Sequence, residues 1–577
     1  MEIIHTKTSQ CVDCYKCVRR CVVKSIQIKG GHAQVVPERC ILDGRCVQVC
    51  PQSAKEVHSS LEPVKKLLKG AVPVVASLAP SFIAAFPDVH PAQIYAALLK
   101  LGFYAVEETS VAAYYVAKEY TNVLEEKAFV ISTDCPSLVN LVEKYYPQYQ
   151  QYLAPVVSPM IAHARMLSQA YRQINSLDIR IVFIGPCIAK IDETYNSDIE
   201  KEALSETISF IDLQHWFLDA GIEPAELPLP DFKNQKSRYI DSRLYPIEGG
   251  FLKSAGLSRD LNPGLKTITG FENCEHFFKE MPADTGGLRI VEMMICSEGC
   301  INGPLLDSPL PLISRRERIF QYATSDDILP QLFNYDQVEF NLRRTFLDRH
   351  FPVAEPTADD LKILMLRIGK YSRKDELDCG ACGYYTCREK ARAVFQGMAE
   401  LEMCLPYMRK KAESRANKII EQDPNGVVLM DNHYRIIQYN PAFRRIFSIN
   451  DTQPIINQTI EDILGNNCFN NIEKSTEPTG FVYNHAPLSK TLEIIAFQLE
   501  AEDMLVGIFV DITSRIRNNQ HLMKIKHETI EKTQEVIHKQ MRVAQEIASL
   551  MGETTAETKV SLLKLITILK EESDLGE

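Results

Sequence analysis

The chain has 577 residues, a formal net charge of −11, and 45% hydrophobic and 24% charged residues. That length is too great for one core and fits about four domains. The acidic balance excludes nucleic acid as a main partner, because phosphate binding needs a basic surface. No apolar run reaches the ~18 residues of a membrane span. The opening MEIIHTKTSQC lacks a basic-then-apolar leader, so a cytoplasmic location is expected. The 17 cysteines are odd in number and tightly clustered, which points to metal binding and not to disulfides. Cys274 and Cys468 fall outside the clusters and read as ordinary thiols.

Residues 1–58 contain CVDCYKCVRRC, which sets Cys11, Cys14, Cys17 and Cys21 at the spacing C-x2-C-x2-C-x3-C. This is the two-cluster bacterial ferredoxin spacing, whose fourth cysteine serves the other cluster. A second run, Cys40, Asp43, Cys46 and Cys50 before Pro51, repeats it with aspartate in second place. Crossed pairing gives one 4Fe-4S cluster Cys11, Cys14, Cys17 and Cys50. The other receives Cys40, Cys46 and Cys21, with Asp43 as the remaining candidate. Carboxylate is a harder ligand than thiolate, so this second site is expected to hold three irons or four. The competing reading is a zinc module.

Residues 59–350 open with a helix over 61–69. A buried strand, VPVVASL, follows and ends at Ala79, Pro80 and Ser81. Helical runs at 93–101 and 138–145 alternate with strand-like runs at 128–131 and 181–184. This predicts an α/β domain with one largely parallel sheet. Cys135, Cys187, and the pair Cys296 and Cys300 each follow an apolar run. Loops after the carboxyl ends of parallel strands share one crevice, so four thiolates are expected to meet there, as an iron–sulfur cluster needs.

LAPS, TDCPS, PCIAKIDE and EMMICSEGC, in that order behind the ferredoxin spacing, resemble the H-cluster domain of iron-only (FeFe) hydrogenases. The family motifs are TSCCP, MPCxxKxxE and ExMxCxxGC. The resemblance runs over about residues 1–410. It implies a 4Fe-4S cubane on Cys135, Cys187, Cys296 and Cys300. Cys300 would also bridge to a diiron subsite carrying CO, cyanide and a dithiolate. Lys190 would donate to one cyanide and Ala79, Pro80 and Ser81 would line the other, with Pro136, Pro186 and Met294 as further matching positions. Glu193 would orient Lys190 or its loop. Four departures stand out. Asp134 replaces the family's proton-relay cysteine, and an aspartate is a poor reservoir at neutral pH unless burial raises its pKa. Gly185 replaces a methionine, removing bulk beside the diiron site. Asn302, Gly303 and Pro304 replace a glycine-rich tail. A paired-glutamate segment is matched only by Glu119 and Tyr120.

Residues 351–410 carry Cys379, Cys382, Cys387 and Cys404 at C-x2-C-x4-C-x16-C. Gly380 and Gly383 permit close backbone approach, and a helix over 388–402 is expected to return the chain to the fourth ligand. The segment resembles a small 4Fe-4S domain; four cysteines also suit zinc. Residues 411–515 read as helix, strand, a turn at Asp431 and Asn432, strand, and a helix from Pro441. Strands over 491–499 and 504–511 follow. This resembles a PAS domain whose ligand is unreadable, with His433 and His485 taken as surface or turn residues. Residues 516–577 begin with a helix to about 551. Ile516, Met523, Ile530, Ile537, Ala544 and Met551 form one heptad stripe, while Asn519, Lys526 and Thr533 leave the second stripe polar. Gly552 breaks this helix, and Thr554 and Glu557 form a capping box for another over 556–572.

The expected fold is multidomain α/β: a two-cluster ferredoxin-like domain, an α/β H-cluster domain, a small 4Fe-4S domain, a PAS domain and C-terminal signalling helices. The expected function is a slow, sensory hydrogenase that relays redox state through its clusters. Its expected partners are H2 and protons, a redox partner, hydrogenase maturation proteins, a second copy joined through the PAS domain and helices, and a kinase or phosphatase. The alternatives are a metabolic hydrogenase, an iron–sulfur sensor or scaffold without diiron, and an interaction protein that has lost its redox chemistry.

Overall fold

The computed structural model describes residues 2–195, 204–230, 239–257, 262–281, 286–325, 329–450, 453–465, 477–499, 504–548, 560–561 and 563–564. Cys468, Met551, Gly552, Thr554 and Glu557 lie outside the described residues. Of the expected helix 556–572, four residues are described, all helical. The chain divides into two compact units, Met1–Met408 and Arg409–Glu577. No helix of the described residues is long and apolar enough to cross a membrane.

The first unit starts with two small antiparallel pairs. Strand β1 (Ile4–Thr6) pairs with β4 (Lys55–Val57), and β2 (Ile26–Lys29) with β3 (His32–Val35). Ile4, Val18, Ile26 and Ile28 fill the core between them. The cysteine loops turn on left-handed residues, among them Asp13, Tyr15, Leu42 and Gly44.

The α/β part differs from the single sheet expected. Strands β5 (Val74–Leu78), β6 (Ala105–Glu108), β8 (Arg180–Gly185) and β9 (Glu206–Ser209) form a parallel sheet ordered β6-β5-β8-β9. Strands β7 (Val130–Ile131), β10 (Leu265–Thr269) and β11 (Ile290–Met294) form a second parallel sheet, ordered β10-β11-β7. Strand β7 pairs Val130 with Ile290 and Ile131 with Val291, and nothing in β5. Covered parallel strands are apolar on both faces, and β5 and β11 are buried throughout. Periodicity therefore could not reveal which strand neighbours which.

The segment with the last four cysteines packs onto the N-terminal part. Lys24 Nζ donates to the Gly383 carbonyl at 2.8 Å and Arg19 to that of Ala381 at 2.9 Å. Gly383, at φ +97, lies so near helix Lys16–Arg20 that a Cβ there would stand 2.8 Å from Val18. The helix expected over 388–402 is shorter, Cys387–Phe395, because the chain turns left-handed at Gly397. The N-terminal part also locks onto the α/β part. Arg45 makes a two-pronged bond to Glu272 at 2.6 and 3.0 Å, and Lys144 donates to the Cys40 carbonyl at 2.7 Å. Gly44, at φ +75, would carry a Cβ 2.5 Å from Pro304.

The second unit is an antiparallel sheet of β12 (Gly426–Met430), β13 (Ile436–Tyr439), β14 (Thr479–His485), β15 (Lys490–Leu499) and β16 (Met504–Asp511), ordered β13-β12-β16-β15-β14. Strand β14 was not anticipated; four of its seven residues are exposed, which weakens its apolar signal. His433 is exposed, whereas His485 is buried and caps the turn after β14. Val428, Met430, Ile436, Phe443 and Phe509 form the core. Asn440, 1% exposed, ties it together. Its amide donates to the carbonyls of Ile420 and Asn425 at 2.9 and 2.8 Å, and its oxygen accepts from the N–H groups of Val427 and Phe443 at 2.9 and 3.0 Å. The final helix, Thr513–Ala548, leaves Leu522, Met523, Val536 and Ile547 exposed.

Orphaning a buried polar group costs about 1–3 kcal/mol, and this side chain satisfies several. Asn440→Ala is therefore expected to destabilise the second unit by about 2–4 kcal/mol. Denaturant unfolding of the full chain, followed by far-ultraviolet dichroism, checks this against the unchanged visible absorption of the iron–sulfur unit.

Candidate active site

Two sheets aim their carboxyl ends at one cavity. The loop after β5 brings Ala79, Pro80 and Ser81, the loop after β8 brings Pro186 and Cys187, and helix Ile188–Tyr195, which starts directly after it, brings Lys190. The loop after β7 brings Asp134 and Cys135, and the end of β11 with its loop brings Met294 and Cys300. All ten line a cavity of about 90 Å³, several times the space one water needs. Cys296, Pro136, Gly185 and Glu193 do not line it. Pro136 instead starts helix Pro136–Tyr145 in its first turn, directly after Cys135.

The four thiols are electrostatically joined. Burial, then the charge of Cys135, pushes Cys187 up to about 11, and burial, then the charges of Cys187 and Cys135, pushes Cys300 up to about 12. Cys296 is raised well above its ordinary value by burial, then by Cys187, Cys135 and Cys300. Burial also raises Cys135, against N–H groups of Ile295 and Leu138. Four buried sulfurs within reach of one another are a cubane donor set.

Lys190 is the cation of the cavity. Burial opposes its charge, but Glu193, Cys187 and Cys300 outweigh that and hold the ammonium above its usual pKa. It donates to Ser158 Oγ at 3.1 Å and to Glu193 Oε2 at 3.3 Å, while Ser158 donates to the same Glu193 oxygen at 2.9 Å. Arg344 stands 3.6 Å from the other Glu193 oxygen. Glu193 thus holds Lys190 from behind, outside the cavity wall. Ser158 and Arg344 were not singled out from sequence. The Ser158-Pro159 helix start was a visible signal for the first; nothing local marked the second.

Asp134 is held differently. Both of its carboxylate oxygens are buried with no hydrogen-bond partner. Burial pushes its pKa up to about 7, partly offset by Lys190. The shift removes the objection that an aspartate is too acidic to hold a proton near neutrality. Tyr245, on the same wall, also has a buried hydroxyl without a partner. Below them Tyr120 accepts from the Thr133 N–H at 2.8 Å. Glu119 is taken by Arg343 at 2.6 Å, away from the wall, so Tyr120 alone of that pair approaches the site. The space beside Gly185 is not vacant either: the Phe183 ring fills it, 2.5 Å from where a Cβ would stand, and lines the cavity.

The N-terminal cysteines sort into two sets. Burial pushes Cys40 up to about 12, with Asp43 and Cys21 adding to it, and Cys46 is raised by burial, Asp43, Cys40 and Cys21. Cys17 is raised by burial with smaller effects from Cys11 and Cys14. Cys21 therefore sides with Cys40, Asp43 and Cys46, as crossed ligation requires. Cys50 Sγ accepts from the Ala54 N–H at 3.2 Å. Burial pushes Asp43 up to about 6 against the nearby Arg45, and the Asp43 charge is felt at Cys296. The second set thus abuts the candidate active site. Cys379, Cys382, Cys387 and Cys404 line one small cavity of about 20 Å³ with Lys370 and Lys390. Cys274 packs in the core, its thiol 3.6 Å from the Met294 carbonyl.

Residues 72–304 match the family model described as iron only hydrogenase large subunit, C-terminal domain. Residues 33–56 match a 4Fe-4S binding domain and residues 375–406 a putative Fe-S cluster family. Iron hydrogenase 1 of Clostridium pasteurianum is 24% identical over 307 residues, covering 44% of this chain and 53% of that protein, so the chain spans about half the length of this relative. A ferredoxin of Pyrobaculum islandicum is 32% identical over 79 residues, 14% of this chain and 74% of the ferredoxin. A solved variant of FeFe-hydrogenase HydA1 from Chlamydomonas reinhardtii aligns over 51% of this chain and 100% of its own, at 17% identity and a TM-score of 0.42.

A cluster held by Cys21, Cys40, Cys46 and Asp43 would carry one hard ligand, so mild oxidation of such a cluster is expected to release the iron at Asp43. Electron paramagnetic resonance should then show a three-iron signal. Asp43→Cys supplies a fourth thiolate and should abolish that signal.

Proposed function

The chain belongs to the iron-only hydrogenase family, and on that premise we propose that it cleaves and forms hydrogen slowly at an H-cluster and uses the result as a signal. The observation that carries this reading is the single wall on which Cys300, Lys190 and the partnerless carboxyl of Asp134 meet. The residues fit the group. Cys135, Cys187, Cys296 and Cys300 would hold the cubane, and Cys135, Cys187 and Cys300 also line the cavity in which the diiron subsite would sit. Lys190 and the Ala79–Pro80–Ser81 loop suit its cyanide ligands. When bound, the H-cluster supplies the redox metal at which hydrogen is interconverted with two protons and two electrons.

The chain's own work is to position and to move protons. Glu193 and Ser158 pin the Lys190 ammonium so that it faces the cavity. Phe183, Met160, Phe251 and Met294 keep water from the wall, which strengthens each polar contact there. Asp134 takes or gives one proton at a carboxylate oxygen, and near pH 7 it is poised to do either. The segments that would hold the clusters adjoin one another, since the Asp43 charge is felt at Cys296 and the Cys379–Cys404 segment packs on helix Lys16–Arg20.

The sensory part rests on the second unit. Its sheet order and the emergence of a long helix right after β16 support the PAS reading. The apolar residues exposed along that helix support pairing with a second copy. Remaining proposed partners are a redox protein, the maturation proteins that install diiron, and a kinase or phosphatase that reads the helices.

Protein made with hydrogenase maturases is expected to show infrared CO and cyanide bands that shift between argon and hydrogen. Intact iron–sulfur absorption without those bands would leave a thiolate-cluster sensor. Asp134→Asn is expected to lower turnover by about 10²–10⁴-fold while keeping the bands. In the wild type, proton reduction needs the protonated carboxyl and should fall as pH rises through about 7, whereas hydrogen oxidation needs the carboxylate and should fall as pH drops through about 7. Paired pH–rate profiles check both limbs.

A further inference from the structure

A second polar feature leaves the same cavity in another direction. Thr109 lines the wall. Its hydroxyl lies 2.9 Å from Ser77 Oγ, which lies 2.7 Å from His163 Nδ1. His163 Nε2 lies 2.8 Å from Glu107 Oε2. The other Glu107 oxygen accepts from the Leu332 N–H at 2.6 Å, and Tyr335 donates its hydroxyl to Oε2. Ser77, His163 and Glu107 are fully buried.

These residues come from separate elements, and each lies on a buried stretch of its own. Ser77 is the one polar residue of β5, opposite Glu107 in the register of β6. His163 sits on helix Pro159–Asn175 among Met160, Ile161, Ala162, Ala164 and Met166. A buried ion pair stabilises a fold little better than apolar packing of the same volume, so stability alone does not account for three polar groups meeting here.

The donors give the chain one direction. The Leu332 N–H, the Tyr335 hydroxyl and the His163 Nε2–H all point at Glu107, which is therefore an accepting carboxylate. His163 Nδ1 is then an acceptor for the Ser77 hydroxyl, and Ser77 accepts from Thr109. The open end is the Thr109 oxygen at the cavity. The other charged or titratable groups near Glu107 are Tyr171, whose hydroxyl feels its charge, and, from the next residue Glu108, Arg243 and Tyr322.

We propose that Thr109, Ser77, His163 and Glu107 form a proton store branching from the active-site cavity, separate from Asp134; this rests on the hydrogenase reading above. A proton reaching Thr109 Oγ1 displaces that hydroxyl's own proton to Ser77, and the Ser77 proton passes to His163 Nδ1. One proton enters, no electron moves, and the resulting imidazolium rests against the Glu107 carboxylate. Among the described residues Tyr335 adds no onward partner, so the branch holds a proton and does not conduct it to the surface.

The test is infrared difference spectroscopy of the mature full chain, argon against hydrogen, with isotope-labelled histidine and the His163 band assigned by its absence in His163→Gln. The expected result is conversion of imidazole to imidazolium at His163 under hydrogen. Ser77→Ala and Thr109→Val, which keep the His163–Glu107 bond, should lose that conversion while the CO and cyanide bands still shift. A wild-type histidine band unmoved while those bands shift, or a conversion unchanged in both variants, overturns the store. Absence of CO and cyanide bands is instead failure of the hydrogenase reading. The store is then decided by acid titration of the same band in protein carrying thiolate clusters alone: loss of His163 protonation in Ser77→Ala upholds it, and unchanged titration overturns it.

Discussion

Four sulfurs confined in one dry place govern this molecule. Cys135, Cys187, Cys296 and Cys300 are each raised by burial, and the last three again by the charge of neighbouring sulfurs, Cys135 among them. Without metal they cannot share the site as thiolates, so they would stand as neutral thiols. Binding of iron must expel their protons, and the free energy of binding becomes free energy of the local fold. The same confinement sets the neighbours. Glu193 and the sulfurs hold the Lys190 ammonium against the cost of its burial, and burial lifts Asp134 far above the ordinary carboxylate range.

The remaining architecture delivers loops to that place and connects it outward. Two parallel sheets, not one, converge there; in the order β6-β5-β8-β9 the chain reverses direction across the sheet between β5 and β8, and the loops after those two strands both reach the cavity. The N-terminal cysteine loops press on the third side through Gly44, Arg45 and Asp43. The Cys379–Cys404 segment then presses on helix Lys16–Arg20, so its nearest redox neighbour is the N-terminal pair of clusters. Cys404 is followed at once by helix Leu405–Gln422, and Asn440 grips the Ile420 end of that helix.

What was legible in the sequence was local. Cysteine spacing encodes ligand sets, because a cluster ties residues two or three apart, and strand-then-cysteine patterns marked the loops of the site. Strand pairing was not legible, since β5, β8 and β11 are mostly apolar and almost wholly buried, and carry no sign of partner. Contacts between distant segments were hidden for the same reason. Nothing near Glu119 shows that Arg343 claims it, nothing near Gly185 shows that Phe183 fills its space, and Ser77 or His163 read singly are an ordinary serine and an ordinary buried histidine. The helix expected over 388–402 ends at Phe395 because Gly397 adopts φ +70, which the apolar pattern of the segment does not reveal. Strand β14 was passed over because its exposed residues blur the alternation.

The seat of Gly44 bears on how such a chain can diversify. Its left-handed backbone places the missing side chain against Pro304 and against Ile188 at the start of helix Ile188–Tyr195, both of the α/β part, at distances where no Cβ fits. The N-terminal cysteine-rich domain is therefore not an exchangeable cassette. A homologous domain grafted in its place would need a glycine at the same position and a partner surface cut to the same depth. Shuffling of such modules onto this α/β part is thus limited by one hydrogen atom where other residues carry a carbon, and exchange between relatives should succeed only when the segment around Gly44 and the segment around Pro304 move together.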